Sequence, residues 1–157
     1  GQAALALVAQ HPAREDMVDA LLGVAAEEML HFRQVYDILR DRGLGLALDT
    51  PDPYMGALHR KIRRKGSDEY LFDRLVLFGI VEARGCERFR MVFEALPEGD
   101  MKDFYGELVR SESRHHALYH QFARRYFGED AFKARLNELL DAEATIARGL
   151  PLRPALH

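Results

Sequence analysis

With 157 residues, 48% of them apolar and 30% charged, the chain has the composition of one soluble globular domain large enough to bury a core. Its formal net charge of -3 neither favours nor excludes an anionic partner, and the single Cys86 excludes an intrachain disulfide. No apolar run approaches the roughly 20 residues that cross a membrane, so a cytoplasmic protein without a membrane partner is expected.

Gly1 to Ala9 is apolar and rich in small residues, and it ends at Gln10-His11-Pro12. It reads as the last turns of a helix with no N-cap before it, so the chain is expected to lack the start of its first helix. Pro12 to Leu39 reads as one long helix, with Pro12 near its first turn and Glu15 and Asp16 at the positive end of the dipole. Leu21, Val24, Ala25, Glu28, Phe32 and Val35 form one stripe on it, expected to face inward. Arg40, Arg42 and Gly43 close it.

Residues 43 to 67 form a long, glycine- and proline-bearing connection with a short helix expected around Met55 to Arg63. It carries a basic run, His59-Arg60-Lys61-Ile62-Arg63-Arg64-Lys65. Asp68 is the expected cap of the third long helix, Glu69 to Ala95. Leu96-Pro97-Glu98-Gly99 is a tight turn, and a fourth helix runs from Asp100 to Phe127, stopped by Gly128. A further amphipathic helix spans Asp130 to Arg148, and the tail to His157, with Pro151 and Pro154, is irregular.

Two motifs carry the chemistry. Glu28-Met29-Leu30-His31 and Glu112-Ser113-Arg114-His115 are both Glu-x-x-His inside long helices, and Glu82 lies between them. A Glu and a His three residues apart share one helix face. Two such helices, with one Glu from each remaining helix, form the two-metal carboxylate site of ferritin-like bundles. The expected fold is therefore all-α, a ferritin-like four-helix bundle with a long crossover between the second and third helices and an extra C-terminal helix. Glu82 and Glu112 span two antiparallel half-helices and one tight turn, which brings them to similar depth. Each motif sits among apolar neighbours, and carboxylate with imidazole suits non-haem iron or manganese.

Other polar residues read more simply. Glu87 shares a face with Arg84, Arg88 and Met91 and reads as solvated or ion-paired. His116 and His120 read as polar-face or pocket residues, His11 and His59 as surface residues, and Cys86 as packing near the site rather than ligating it. Tyr105 and Tyr119 read as core. Glu27 and Ser111 precede the ligand glutamates and are candidates to hydrogen-bond a metal-bound His, Glu27 serving His115 and Ser111 serving His31.

Glu27-Glu28-Met29-Leu30-His31-Phe32, Val81-Glu82-Ala83-Arg84-Gly85-Cys86-Glu87-Arg88-Phe89 and Ser111-Glu112-Ser113-Arg114-His115 together resemble the tRNA methylthio-isopentenyladenosine hydroxylases. Residues 3 to 12 resemble the end of that family's first helix, and the similarity covers roughly residues 1 to 148. The resemblance implies a non-haem di-iron monooxygenase. Such an enzyme uses dioxygen and two external electrons to hydroxylate the isopentenyl side chain of a modified adenosine beside the tRNA anticodon. It implies two iron ions held by the catalytic ligands Glu28, His31, Glu82, Glu112 and His115, a tRNA substrate and an electron-transfer protein as partner. The family's first-helix Glu has no counterpart in these residues and is expected to precede Gly1. Arg60, Lys61, Arg63, Arg64 and Lys65, with Arg84, Arg88 and Arg114, fit contacts to tRNA phosphates.

Two other functions stand beside this one. A ferritin- or rubrerythrin-like bundle handling iron or peroxide would use the same ligands, although one cysteine does not supply a rubredoxin-like module and the basic connection is foreign to a ferritin shell. A non-enzymatic helical interaction domain leaves five inward-facing ionisable side chains without a purpose.

Overall fold

The computed structural model describes residues 1–48, 50–64 and 66–151; Lys65 of the basic run and the tail containing Pro154 lie outside the described residues. Six helices form: α1 Gln2–Gln10, α2 Glu15–Asp41, α3 Pro53–His59, α4 Ser67–Ala95, α5 Asp100–Phe127 and α6 Glu129–Gly149. No strand occurs among the described residues, and no helix is long and apolar enough to cross a membrane. The backbone divides into two compact units, Gly1–Thr50 and Pro51–His157.

In the first unit α1 folds back on α2, burying Ala4 and Leu7 with Met17, Leu21, Val24 and Ala25. The expected start of α2 at Pro12 is corrected to Glu15. The His11 amide closes α1 on the Leu7 carbonyl, and the Arg14 amide bonds the His11 carbonyl, a turn with Pro12 at its second position where a fixed φ suits it. At the other end Gly43, with φ of 72°, ends α2. Its amide bonds Arg40 and the Leu44 amide bonds Leu39, the double closure of a Schellman motif.

The inward stripe of α2 is also corrected. Leu21, Val24 and Ala25 are buried, whereas Phe32 is 57% and Val35 41% exposed. A Cβ on Gly1 would sit 3.4 Å from the Glu28 Cβ, so the described α1 residues lie over the turns that carry Leu21, Val24 and Ala25 and not over those that carry Phe32 and Val35.

In the second unit α3 begins under a side-chain cap, Asp52 accepting from the Tyr54 amide at 2.8 Å, with Pro53 in the first turn. It is shorter than expected, ending at His59. α4 starts at Ser67, two residues before the expected Glu69, with Gly66 rather than Asp68 at the cap position. α4 and α5 form an antiparallel hairpin, and α6 packs on both while also contacting α3.

The N-terminal half of α4 is buried on every side, from Leu71 to Ile80, as expected of a helix that is apolar all round. Two charges lie inside that run. Asp73 accepts hydrogen bonds from Arg63 and Arg135, and the Arg74 guanidinium lies over the rings of Tyr70 and Phe78. On α6, buried Glu143 accepts from the Tyr54 hydroxyl at 2.9 Å and from Arg84 at 2.9 and 3.1 Å, tying α3, α4 and α6 together.

Candidate metal centre

The apolar stripe of α5 carries the second motif into the core. Glu112 is 8% and His115 3% exposed, and they share a face with buried Leu108, Tyr119 and Phe122. A carboxylate oxygen of Glu112 and a ring nitrogen of His115 lie within 4.8 Å of one another. The Ser111 hydroxyl lies 3.4 Å from His115 Nε2, one turn back on the same helix. Ser111 therefore meets the histidine of its own motif, where sequence pointed to His31.

The α4–α5 register places half-buried Glu82 level with this pair. At one end the His116 ring reaches the Gly79 carbonyl at 2.8 Å and the His120 ring reaches the Val76 carbonyl at 3.2 Å. At the other, Gly85 lies against Glu112, where a Cβ would meet the carboxyl carbon at 3.6 Å, and Cys86 Sγ lies 3.5 Å from the Val109 carbonyl. Glu82 falls between these crossings, so the similar depth expected from the tight turn is what the hairpin builds. Gly79 is required for it: a Cβ there would stand 2.1 Å from His120 Cδ2 and Nε2.

The first motif lies on α2 in the other unit. Glu28 and His31 are partly buried, with Glu28 Oε1 3.9 Å from His31 Nδ1 and Oε2 3.8 Å from the Gly1 amino group. Each motif thus presents an oxygen and a nitrogen on one helix face, and Glu82 adds an oxygen from α4. Hard carboxylate oxygens beside imidazole fit a divalent ion of the iron or manganese kind.

The neighbouring polar residues sort as follows. His116 and His120, with ring centroids 4.5 Å apart, help line a cavity of about 600 Å³ between α4, α5 and α6. Burial pushes the His120 pKa down to about 4. Glu87 pairs with Arg84 at 2.7 Å, as an ion-paired surface residue should. Tyr119 is buried and packs edge-on to Phe78, as a core aromatic should, whereas Tyr105, against Phe89 and Phe104, is only half-buried. His11 and His59 are both half-buried rather than on the surface.

Two proposed phosphate contacts are redirected. Arg63 is engaged by Asp73 and Glu69, and Arg84 by Glu143 and Glu87. Arg88 stacks over the Tyr54 ring, 5.4 Å from its centroid.

Sequence reasoning passed over the buried acids Asp73 and Glu143. The available signal was their setting: Asp73 interrupts the apolar run Leu71 to Leu77, and Glu143 continues the helical stripe of Leu136, Leu139 and Leu140.

The chain is 34% identical over 139 residues to a tRNA 2-(methylsulfanyl)-N(6)-isopentenyladenosine(37) hydroxylase of Pseudomonas putida, covering 88% of this chain and 66% of that one. It is 30% identical over 135 residues to the protein of the same name in Salmonella typhimurium, covering 86% of this chain and 49% of the relative. The chain therefore spans between about half and two thirds of the length of these relatives. Among solved structures it is similar to Protein 43 with aldehyde deformylating oxygenase activity from Synechococcus. That match has a TM-score of 0.89 and 30% identity, covering 98% of this chain and 76% of the other. The fold class is accordingly all-α and ferritin-like. A family model described as tRNA-(MS[2]IO[6]A)-hydroxylase (MiaE) matches residues 1–157, and the chain belongs to that family.

Proposed function

We propose that this chain provides the metal site of a non-haem di-iron hydroxylase acting on the isopentenyl side chain of a 2-methylthio-isopentenyladenosine in tRNA. One observation carries the reading. The whole-chain match to the hydroxylase family falls on a hairpin that holds buried Glu112 and His115 level with Glu82.

Glu28, His31, Glu82, Glu112 and His115 are the proposed ligands, and all are oxygen or imidazole donors suited to iron. These residues would hold iron, which when bound would supply the dioxygen chemistry needed to oxidise an allylic C–H bond. Overall one oxygen atom enters the C–H bond as hydroxyl and the other leaves as water, with two electrons and two protons taken up. The electrons come from an external electron-transfer protein.

The chain's own residues position and shield. The Ser111 hydroxyl lies 3.4 Å from Nε2 of His115 and would steady the ring with Nδ1 left for a metal ion. Leu108, Tyr119 and Phe122 exclude water from the same face of α5. A carboxylate as buried as Glu112 is costly without a cation, so its position supports a metal role over that of a surface acid.

The test is nucleoside mass spectrometry of tRNA from cells lacking the gene, complemented with the parent or with Glu112→Ala. The hydroxylated nucleoside should vanish on deletion, return with the parent and stay absent with the variant. Iron content of purified protein checks the ligands: His31→Ala and His115→Ala should each lose most metal. Full iron content in both variants would overturn the ligand set. Oxidation and retention of ferrous iron with tRNA left unmodified would select a storage function instead.

A further inference from the structure

We propose that the cavity between α4, α5 and α6 binds a nucleoside monophosphate, at a place apart from the metal centre. The inference goes beyond the hydroxylase reading and does not depend on it.

The cavity, of about 600 Å³, has the size of a site for a small organic ligand. None of the proposed metal ligands lines it. On α4 its wall is Ala83, Glu87 and Arg90, a single stripe at helical spacing that leaves Glu82 outside. On α5 its wall is His116, His120 and Arg124, a stripe separate from the one that carries Glu112 and His115.

Three properties of the lining define the ligand. The first is an apolar floor of Ile80, Ala83, Leu136 and Leu140. Among the described residues from 51 to 151, Leu140 and Met91 are the only large apolar side chains left exposed. The second is a pair of imidazoles. His120 is 5% exposed and donates Nε2–H to the Val76 carbonyl. Burial pushes its pKa down to about 4, so the ring is neutral at pH 7 and Nδ1 is a bare acceptor. That nitrogen has no partner among the described residues. His116 donates Nδ1–H to the Gly79 carbonyl, and its Nε2 has no partner there either. The third is positive charge. Arg90 is exposed and makes no ion pair among the described residues, whereas Glu87, the acid of the lining, is engaged by Arg84.

A nucleoside monophosphate answers all three. The base is flat enough to cover the apolar floor, and its amino or imino hydrogens can satisfy Nδ1 of His120, an acceptor that is costly to leave unpaired. The phosphate, one ribose away, meets Arg90 and Arg124, whose guanidinium forks match its oxygens. A fatty acid carries charge and an apolar chain but no donor for the imidazoles. Inorganic phosphate leaves the floor uncovered.

The experiment is isothermal titration calorimetry of the full chain with AMP at pH 7, with adenosine, inorganic phosphate and decanoate as separate titrants. AMP should bind at one site per chain, and each of the others at least about tenfold more weakly. Arg90→Gln removes a charge-assisted hydrogen bond and should raise Kd about tenfold. Leu140→Glu sets a like charge on the floor and should abolish binding; Arg90 is exposed, so its variant tests the site even if Leu140→Glu fails to fold. Lys102→Gln on α5, a cation paired with Glu98 outside the cavity, should leave the affinity unchanged. Single-stranded oligoadenylate separates the two sources of such a ligand: displacement of bound AMP assigns the site to a nucleotide carried in an RNA chain, and no displacement assigns it to the free nucleotide. Absence of saturable AMP binding up to about 1 mM would overturn the proposal. So would inorganic phosphate or decanoate binding as tightly as AMP, or an Arg90→Gln variant with parental affinity.

Discussion

Asp73→Asn is the substitution whose effect follows most directly from the structure. The carboxylate is 0% exposed and accepts from the Arg63 amide at 2.7 Å, from Arg63 Nη2 at 2.7 Å and from Arg135 Nε and Nη2 at 2.9 and 2.6 Å. Burial alone would raise its pKa, but the hydrogen bonds from Arg63 and Arg135 outweigh that and hold it below the usual carboxylate range. Asparagine keeps the volume and removes the charge. Arg63, 41% exposed, can turn to water, whereas Arg135, 10% exposed, cannot. Breaking a buried pair costs about 3 to 5 kcal/mol. Glu138, 2.6 Å from Arg135 Nη1, shares the stranded charge, so the low end applies, about 3 kcal/mol. For a chain of this size that lowers Tm by about 6 to 12 °C.

The pH dependence has a fixed sign. A carboxyl whose folded pKa lies below its unfolded value of about 3.9 stabilises fully above that pH and ceases to as pH falls through the folded value. The gap between parent and variant in urea unfolding followed by far-UV circular dichroism should therefore be full at pH 7 and shrink toward pH 3. Adding Arg135→Met removes the stranded cation and should recover at least about 1 kcal/mol. A loss below about 1 kcal/mol at pH 7, or a gap that does not shrink in acid, would refute this account of the network.

Gly79→Ala tests the close approach of α5 to α4. The new Cβ would fall 2.1 Å from the His120 ring, displacing it from the Val76 carbonyl. The loss should exceed the roughly 1 kcal/mol that Ala gains over Gly in a helix, giving a lower urea midpoint, and His120→Ala in the same chain should relieve it. His120 itself should confer pH dependence. Its folded pKa of about 4 lies below the unfolded value of about 6.5, so stability is full above pH 6.5, declines as pH falls toward 4 and is flat below. The decline amounts to at most about 3 kcal/mol. The difference between parent and His120→Asn across that range reads it, and a difference independent of pH would contradict it.

Much of this was legible in the sequence because the signals are local. Gly43, Gly99 and Gly128 mark helix boundaries through positive φ, whereas α3 starts at Pro53 under the Asp52 cap, two residues before the expected Met55. The two Glu-x-x-His motifs need only the helical period to be read as sharing a face. The misreadings concern partners distant in the chain. The α2 stripe shows that Phe32 and Val35 are apolar, but an apolar stripe does not say which element packs on it. Arg63 and Arg84 look like surface cations until α4 and α6 bring Asp73 and Glu143 to them, across 10 and 59 residues. Proline is tolerated in the first turn of a helix, which makes Pro12 read as helical, but the turn from His11 to Arg14 takes it instead.

The histidines that do not serve as proposed ligands have a definable part in the site. A helix rises 1.5 Å per residue, so sliding α5 along α4 by one residue would carry Glu112 and His115 away from Glu82 by about that distance, more than a metal site tolerates. The hairpin resists such a slide through specific contacts on both sides of Glu82. His116 and His120 hold the carbonyls of Gly79 and Val76 on one side. Cys86 meets the Val109 carbonyl on the other. Ordinary apolar packing of leucines tolerates repacking; ring nitrogens bonded to particular carbonyls do not. Gly79 makes those bonds reachable, since any side chain there would occupy the volume of the His120 ring. A glycine in mid-helix and two histidines that sequence alone left as pocket residues thus fix the register on which the proposed ligands depend.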